Sequence, residues 1–368
     1  MDHERMTYRI EQVEERHIAR IRQFNERMRN AGSRWQFYDK VVPLWLAPAP
    51  GATAWREFYL AVDEDDTVRG GFGIKFENFL LRGRSMQFGW LQGPVAESAI
   101  DPSLKGLGRL MITDCLRRAP LQISWGANSL AAPSAGTCSM QIRFIDPDRA
   151  LLNIRELQSN RYGKIVRNHR ALRRLAGTAL KLYQSLRAGS SMSNGVPGYH
   201  VEPEFGDWAD AIWQKSRGTY GLIALRDRDA LNRAMPQSGY PEAIVLRVTH
   251  RDEDIGWAAV RIRHLADDPQ FGNCVSGSII DALAIAGHEK DVIRAATHFL
   301  QTKTCDLVGA CFLHPRWQGA LRDCGYLFVP GRRNIGFSEQ LTAIEPDRSW
   351  LLSNTHLTLI DSDGPRIF

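Results

Sequence analysis

The sequence predicts an α+β protein made of two similar halves, each a mixed, mostly antiparallel sheet flanked by helices. Three observations carry this. The order helix, β-hairpin, third strand, helix, strand runs twice along the 368 residues, as an internal duplication would produce. A loop with Gly106 and Gly108 joins a strand to an amphipathic helix in the first half. Between the halves, from Glu156 to Glu202, no acidic residue interrupts a basic stretch. The expected division is 1–152 for the first domain, 153–198 for a basic helical connector and linker, and 199–368 for the second domain.

In the first half, the segment from Tyr8 reads as a short strand, YRIEQ. The stripe Ile18, Ile21, Phe24 and Met28 then predicts a helix that stops at Gly32. Glu57–Val62 and Val68–Leu81 are expected to form a hairpin about the turn Asp63–Asp66. Met86–Ala96 is a third strand, followed by the glycine loop and a helix over Gly108–Arg118. Leu121–Trp125 is a strand, Ser129–Ser139 is loop, and Met140–Ile145 is a strand closed by Asp146-Pro147.

Asn153–Leu186 reads as helix, with Ile165, Leu172, Leu175, Leu180 and Tyr183 apolar, and AGSSMSNGVPG (188–198) reads as linker. The second half predicts a helix over Phe205–Arg217, strands at Ala243–Thr249 and Gly256–His264 about a turn at Asp252–Asp254, and a third strand at Ser276–Ala286. Helices over Lys290–Leu300 and Trp317–Cys324 and strands at Leu307–Leu313 and Tyr326–Val329 complete it.

Composition bounds the function. Hydrophobic residues are 43% and charged residues 24%, with a net charge of +6, as in soluble globular chains. No apolar run approaches the ~20 residues of a membrane span. The first residues, MDHERMTYRIEQVEERH, are charged and unlike a secretory leader. Cysteines 115, 138, 274, 305, 311 and 324 contain no C-x-x-C pair and mostly sit in apolar segments, which points to reduced thiols and away from zinc. A cytoplasmic location follows, peripheral to the inner membrane if the basic stretch meets lipid.

The segment Ser103-Leu104-Lys105-Gly106-Leu107-Gly108, between a strand and a helix, resembles the glycine loop of the GCN5-related N-acetyltransferase superfamily. Both glycines match; the leading Arg or Gln of that pattern is replaced by Ser103. The second half matches in element order. Its close, Leu321-Arg322-Asp323-Cys324-Gly325-Tyr326, is similar to the superfamily's last helix and strand, while its own loop, Ala286–Lys290, has a single glycine. The likeness extends to bacterial tandem proteins of this fold, some with roles in cell-envelope polysaccharides, and to the peptidoglycan aminoacyl transferases. Trp350 and Asp361-Ser362-Asp363 loosely match the ends of such chains.

The resemblance implies a first domain that binds acetyl-CoA or another acyl-CoA, with no metal. Backbone N–H groups of Leu104, Lys105, Gly106, Leu107, Gly108 and Arg109 would hold its diphosphate at a helix N-terminus, with Lys105, Arg109, Arg117 and Arg118 as nearby cations. It also implies a splayed fourth strand, here broken at Pro94. The expected reaction moves an acyl group from CoA, or from an acyl carrier protein, to an amine or hydroxyl of a sugar, amino acid or small metabolite. The alternatives are aminoacyl transfer to a cell-wall precursor and a binding protein without catalysis.

Acyl transfer needs a base for the acceptor and a donor for the oxyanion. Glu97, between the strand and the loop, is the first base candidate, against a solvated or capping carboxylate. Asp281 lies in the apolar strand SIIDALAIA, where a carboxylate must be paired or face a cleft. His314 follows the strand LVGACFL, and Tyr220 ends a helical segment; structural or packing roles compete for both. Two H-x-x-x-D spacings, at His250 and His264, straddle predicted hairpin ends, and Asp361-Ser362-Asp363 reads as a turn.

The basic stretch holds Arg161, Lys164, Arg167, Arg170, Arg173, Arg174, Lys181 and Arg187. It is read as a connecting helix with a solvated basic face, as a contact for an acyl carrier protein or the anionic inner membrane, or, last, as a nucleic-acid contact lacking interleaved aromatics.

Overall fold

The computed structural model describes residues 7–126, 134–153, 169–188, 195–268, 271–362 and 364. In chain order the first elements are β1 (Arg9–Gln12), α1 (Ile18–Asn30), β2 (Ala54–Val62), β3 (Val68–Leu81), β4 (Arg84–Ala96), α2 (Leu107–Arg118), β5 (Ile123–Gly126) and β6 (Ser134–Phe144). Next come α3 (Pro147–Asn153), α4 (Arg170–Ala188), β7 (Gly198–Glu202), α5 (Asp207–Ser216), β8 (Leu222–Ala224), α6 (Arg228–Ala234) and β9 (Ile244–His250). The chain continues with β10 (Glu253–Asp268), β11 (Gly272–Ala284), α7 (Glu289–Thr302), β12 (Leu307–Ala310), α8 (Pro315–Asp323) and β13 (Leu327–Phe337). It closes with α9 (Glu339–Ile344), α10 (Arg348–Asn354) and β14 (Thr355–His356).

Two compact units result. One holds Met1–Leu80, Arg84–Gly136 and Asn334–Arg348, and the other Leu81–Gly83, Thr137–Arg333 and Ser349–Phe368. In the first, β1 and β2 pair antiparallel with Arg9 opposite Val62, and β2 and β3 with Trp55 opposite Phe76; β4 pairs with β3. Asp63 shapes the β2–β3 turn, its carboxylate accepting the N–H groups of Asp65 (3.0 Å) and Thr67 (2.8 Å). α1 buries Ile21, Phe24 and Met28 against Phe58, Leu60 and Val62. α2 lies over β3 and β4, and a Cβ at Gly89 would come within 2.3 Å of the Ala119 Cβ. That absence of a side chain lets the helix end sit directly on the strand. Gly89 is also the one residue of β4 bridged to the chain after α2, in parallel, at Gln122.

In the second unit β7, β9, β10 and β11 are antiparallel neighbours. β11 pairs parallel with β12, Ser276 opposite Leu307, and β12 pairs antiparallel with β6. The passage β11–α7–β12, a strand, a covering helix and a parallel strand, repeats the passage β4–α2–β5. β13 runs from the second unit into the first, where Asn334–Phe337 pairs with β5.

Several expectations change. The small, polar run read as loop over 129–139 is already strand from Ser134, because alternating backbone pairing tolerates small side chains when neighbours supply the bonds. Of the helix expected over 153–186, Asn153 closes the described part of α3 and 170–186 lie in α4; 154–168, with Ile165, and most of the predicted linker lie outside the described residues. The strand from Leu307 stops at Ala310, where the chain leaves the ladder toward α8. β8, α6, α9, α10 and β14 are short elements without a periodic signal.

Candidate active site

After Ala96 the chain makes one turn of 3-10 helix (Glu97–Ala99) and a second at Pro102–Leu104, which Asp101 caps by accepting the Ser103 N–H at 2.9 Å. Gly106 adopts φ 101, a left-handed conformation that a Cβ disfavours, and this swings the chain into α2. The turn spends two of the predicted amides: Leu104 N–H donates to Asp101 and Lys105 N–H to Pro102, both at 3.2 Å. The first bond of the helix runs from Leu110 N–H to the Gly106 carbonyl, at 3.0 Å. Among the described residues the N–H groups of Gly106, Leu107, Gly108 and Arg109 have no acceptor, as expected at a helix start.

Leu104 and Leu107 point inward and are buried, while an added Cβ at Gly106 or Gly108 would meet nothing within 4 Å. The turn is therefore open to solvent. No acidic residue occupies the first turn of α2, and Lys105 and Arg109 are exposed beside it. The free N–H groups, the positive end of the helix dipole and two cations together suit an anion. Arg117 and Arg118 do not join them. They sit at the far end of α2, bonded to Asp114 at 2.6 and 2.5 Å.

The strand leading to this turn also departs from a regular sheet. Gly93 has φ 46 and precedes Pro94. Past Gly89, β4 has no strand partner on its outer edge among the described residues. β4 and β5 thus part company on the side that leads to the loop.

Glu97 does not look out from this opening. It is buried, and Arg27 grips it through Nε to Oε1 (2.6 Å) and Nη2 to Oε2 (3.1 Å), while Arg69 Nη1 reaches Oε2 at 3.2 Å. Arg27 also donates to the Val68 carbonyl at 2.6 Å. Both carboxylate oxygens are thus committed to guanidinium groups. Glu97 ties α1 to β3 at the root of the loop, which argues against its reading as general base.

The other three candidates are in the second unit, where the structure brings two of them together. Tyr220 accepts the indole N–H of Trp317 at 3.0 Å, and its ring meets His314 edge-on (4.9 Å) and His356 at a tilt (4.7 Å). Burial pushes the Tyr220 phenol up. His314 caps α8: its Nδ1 accepts the Arg316 N–H at 3.3 Å. Burial, reinforced by Arg316, lowers its pKa to about 4, so it is neutral near pH 7 with its proton on Nε2. Asp281 stands next to Arg226, whose Nε lies 2.7 Å from Oδ2, while Oδ1 accepts the Thr358 hydroxyl at 2.9 Å. Arg226 also binds Asp361 at 2.7 Å. Two carboxylates around one guanidinium in a fully buried site leave excess negative charge. Desolvation, opposed by Arg226 and aided by Asp361, raises Asp281 to about 7. These features describe a packed polar core and give none of the three an exposed lone pair.

His356 was missed by the sequence reading. It is fully buried, its Nε2–H donates to the Ala282 carbonyl at 3.1 Å, and its Nδ1 has no partner; its pKa is driven well below the ordinary value, first by burial. A lone His in HLTLI carries no periodic or motif signal. Among the described residues, no group of three or more His, Cys, Asp or Glu could hold a metal ion.

No protein-family model matches the sequence, and no curated protein does. Solved structures are similar. The N-myristoyltransferase of Saccharomyces cerevisiae with bound myristoyl-CoA aligns over 90% of this chain and 82% of that chain, at TM-score 0.54 and 11% identity. A second structure of the yeast enzyme gives 90% and 78%, at 0.53 and 12%. A GCN5-related N-acetyltransferase from Anabaena variabilis aligns over 83% and 66%, at 0.46 and 10%. The chain shares the fold of the yeast N-myristoyltransferase.

Within that fold the two units differ at their corresponding loops. Before α7 the chain has Gly287 at φ 97, but its N–H donates to the Glu289 carboxylate at 2.9 Å, and Asp291 joins Glu289 in the first turn. Two acids there repel an anion. Of these two loops, the one before α2 has a helix start free of acids.

Proposed function

We propose that the protein is an acyl-CoA-dependent acyltransferase whose first unit holds the coenzyme diphosphate on the amides of Gly106, Leu107, Gly108 and Arg109. The observation that carries this is the open, acid-free start of α2, with its amides unbonded and Lys105 and Arg109 beside it. The shared fold and the myristoyl-CoA in the similar yeast structure support an acyl thioester as donor. In this reading the coenzyme supplies the activated acyl group. The chain supplies the anion grip and the unpaired outer edge of β4 beyond Gly89. The acceptor is an amine or hydroxyl on a sugar, amino acid or small metabolite. The contact expected of the basic segment, with an acyl carrier protein or an anionic membrane, is independent of this reading.

Calorimetric titration with acetyl-CoA, longer acyl-CoAs and myristoyl-CoA tests it. Gly108→Val is the informative variant, because the position is sterically open and carries no left-handed strain. It is expected to weaken binding about tenfold or more, ~1.4 kcal/mol, with the melting temperature of the unliganded protein nearly unchanged. No heat with any acyl chain length, or equal affinity in the variant, overturns the proposal.

One observation favours a second reading, a binding protein without chemistry. Glu97 is locked by two arginines, and Tyr220, His314 and Asp281 are buried in the second unit. Release of free CoA thiol in the presence of candidate amines separates the two: binding with no release supports the second reading.

A further inference from the structure

α4 is 19 residues long, about 28 Å of helix, and among the described residues one side of it is packed. On that side Gly177 lies against the backbone of Asp148, Gln184 Nε2 donates to the Phe144 carbonyl at 3.3 Å, and Arg173 pairs with Asp148 at 2.9 Å. A different face is apolar and, among the described residues, uncovered. Leu172, Leu175, Leu182, Tyr183 and Leu186 are each between 44% and 72% exposed. At ~100° per residue they fall in one arc of about 100°, turned well away from the packed side. Ala179, small and exposed, continues the stripe.

At the same pitch Arg187 lies ~40° past one edge of that arc, its guanidinium 5.4 Å from the Tyr183 ring centre, while Arg174, Lys181 and Arg170 lie ~80–120° past the other, on the polar side that turns toward the packed face. No acidic residue lies anywhere in 170–188. Leucines this exposed cost solubility unless something covers them.

We infer that this face of α4 lies on an anionic lipid bilayer, leucines in the boundary of the acyl chains and the helix's Arg and Lys at the level of the phosphates. A second copy of the chain fits the leucine spacing, but pairing two such helices would set cation against cation with no acid on either to compensate. An acidic protein would answer the charge, yet a line of leucines along the convex face of a helix suits a planar, deformable layer better. This inference rests on α4 alone and stands apart from the acyl-transfer reading.

The test is co-sedimentation of the full-length protein with vesicles of phosphatidylcholine alone and of an equal mixture with phosphatidylglycerol, at low and high salt. The wild type is expected to bind the mixed vesicles and to weaken with salt. Leu175→Gln with Leu182→Gln is expected to lower that binding about tenfold or more. Arg174→Gln with Lys181→Gln is expected to remove about tenfold and much of the salt dependence. All four positions are exposed, so melting temperatures should be unchanged. Failure of the wild type to bind mixed vesicles, or unaltered binding by the leucine pair, overturns the inference. So does a wild-type dimer in light scattering that the leucine pair abolishes, or vesicle-independent retention of a purified acidic acyl carrier protein.

Discussion

His314 shows how one side chain can satisfy two descriptions of which only one is chemical. It sits where a catalytic histidine is expected in an α/β unit, just past a strand end. Its Nδ1, however, is spent on the Arg316 N–H, and its ring is buried beside Tyr220. The consequence is measurable. With a folded pKa near 4 against 6.5 when unfolded, the native state binds fewer protons than the unfolded chain between those values. Its share of stability is complete above pH 6.5 and disappears as pH falls toward 4, by up to about 3 kcal/mol. Asp281 acts with the opposite sign. Its raised pKa makes the fold hold an extra proton from about pH 4 to 7, so that share declines as pH rises. Urea unfolding of the wild type and of His314→Asn, which keeps a capping side chain, should differ in slope between pH 4 and 6.5, the variant being flatter. Parallel curves would mean that the ring titrates normally in the fold.

At the level of elements, the strand–loop–helix passage over 86–118 was legible because several signals agree there. An apolar strand, two glycines and an amphipathic helix of the right period specify one passage, and β4, the turn and α2 follow it closely. The amides that serve the loop were not separable by eye. Only the 3-10 turn at Pro102–Leu104 shows that Leu104 and Lys105 are already bonded. The site residues fared differently for a physical reason. A carboxylate before a glycine loop looks the same in sequence whether it is a base or an anchor, and the arginines that bind Glu97 are 70 and 28 residues away. Short elements such as β8 and β14 owe their form to neighbours and leave no periodic trace. The seat of α2 yields its own prediction. Gly89→Ala places a Cβ against Ala119 and should cost about 1–3 kcal/mol in thermal or urea unfolding. Adding Ala119→Gly should recover part of that loss, because the two positions share one space. A double variant no better than the single would show that the contact is relieved by movement of the helix.

For the whole molecule, duplication without equivalence is the main result. Both units use a strand, a covering helix and a parallel strand, but the second has filled its helix start with Glu289 and Asp291, and the first has left its own free of acids. One coenzyme per chain is therefore expected. Calorimetry should return a stoichiometry near one. Saturating acyl-CoA at about 100 times its dissociation constant should add about 2.7 kcal/mol to the stability of the unit that binds it. Two equal sites would contradict the electrostatic distinction drawn between the loops. Among the described residues no helix is long and apolar enough to cross a bilayer, so any attachment to lipid through α4 would be parallel to the surface.

The route of β13 also governs how the chain is made. β5 finds its antiparallel neighbour in Asn334–Phe337, and the first unit keeps the chain as far as Arg348. During synthesis β5 therefore has no neighbour on that side until Asn334–Phe337 has left the ribosome. A fragment cut after β5 would expose that edge permanently and be prone to stick to its own kind, whereas supplying 334–348 as a separate peptide should let the severed half close.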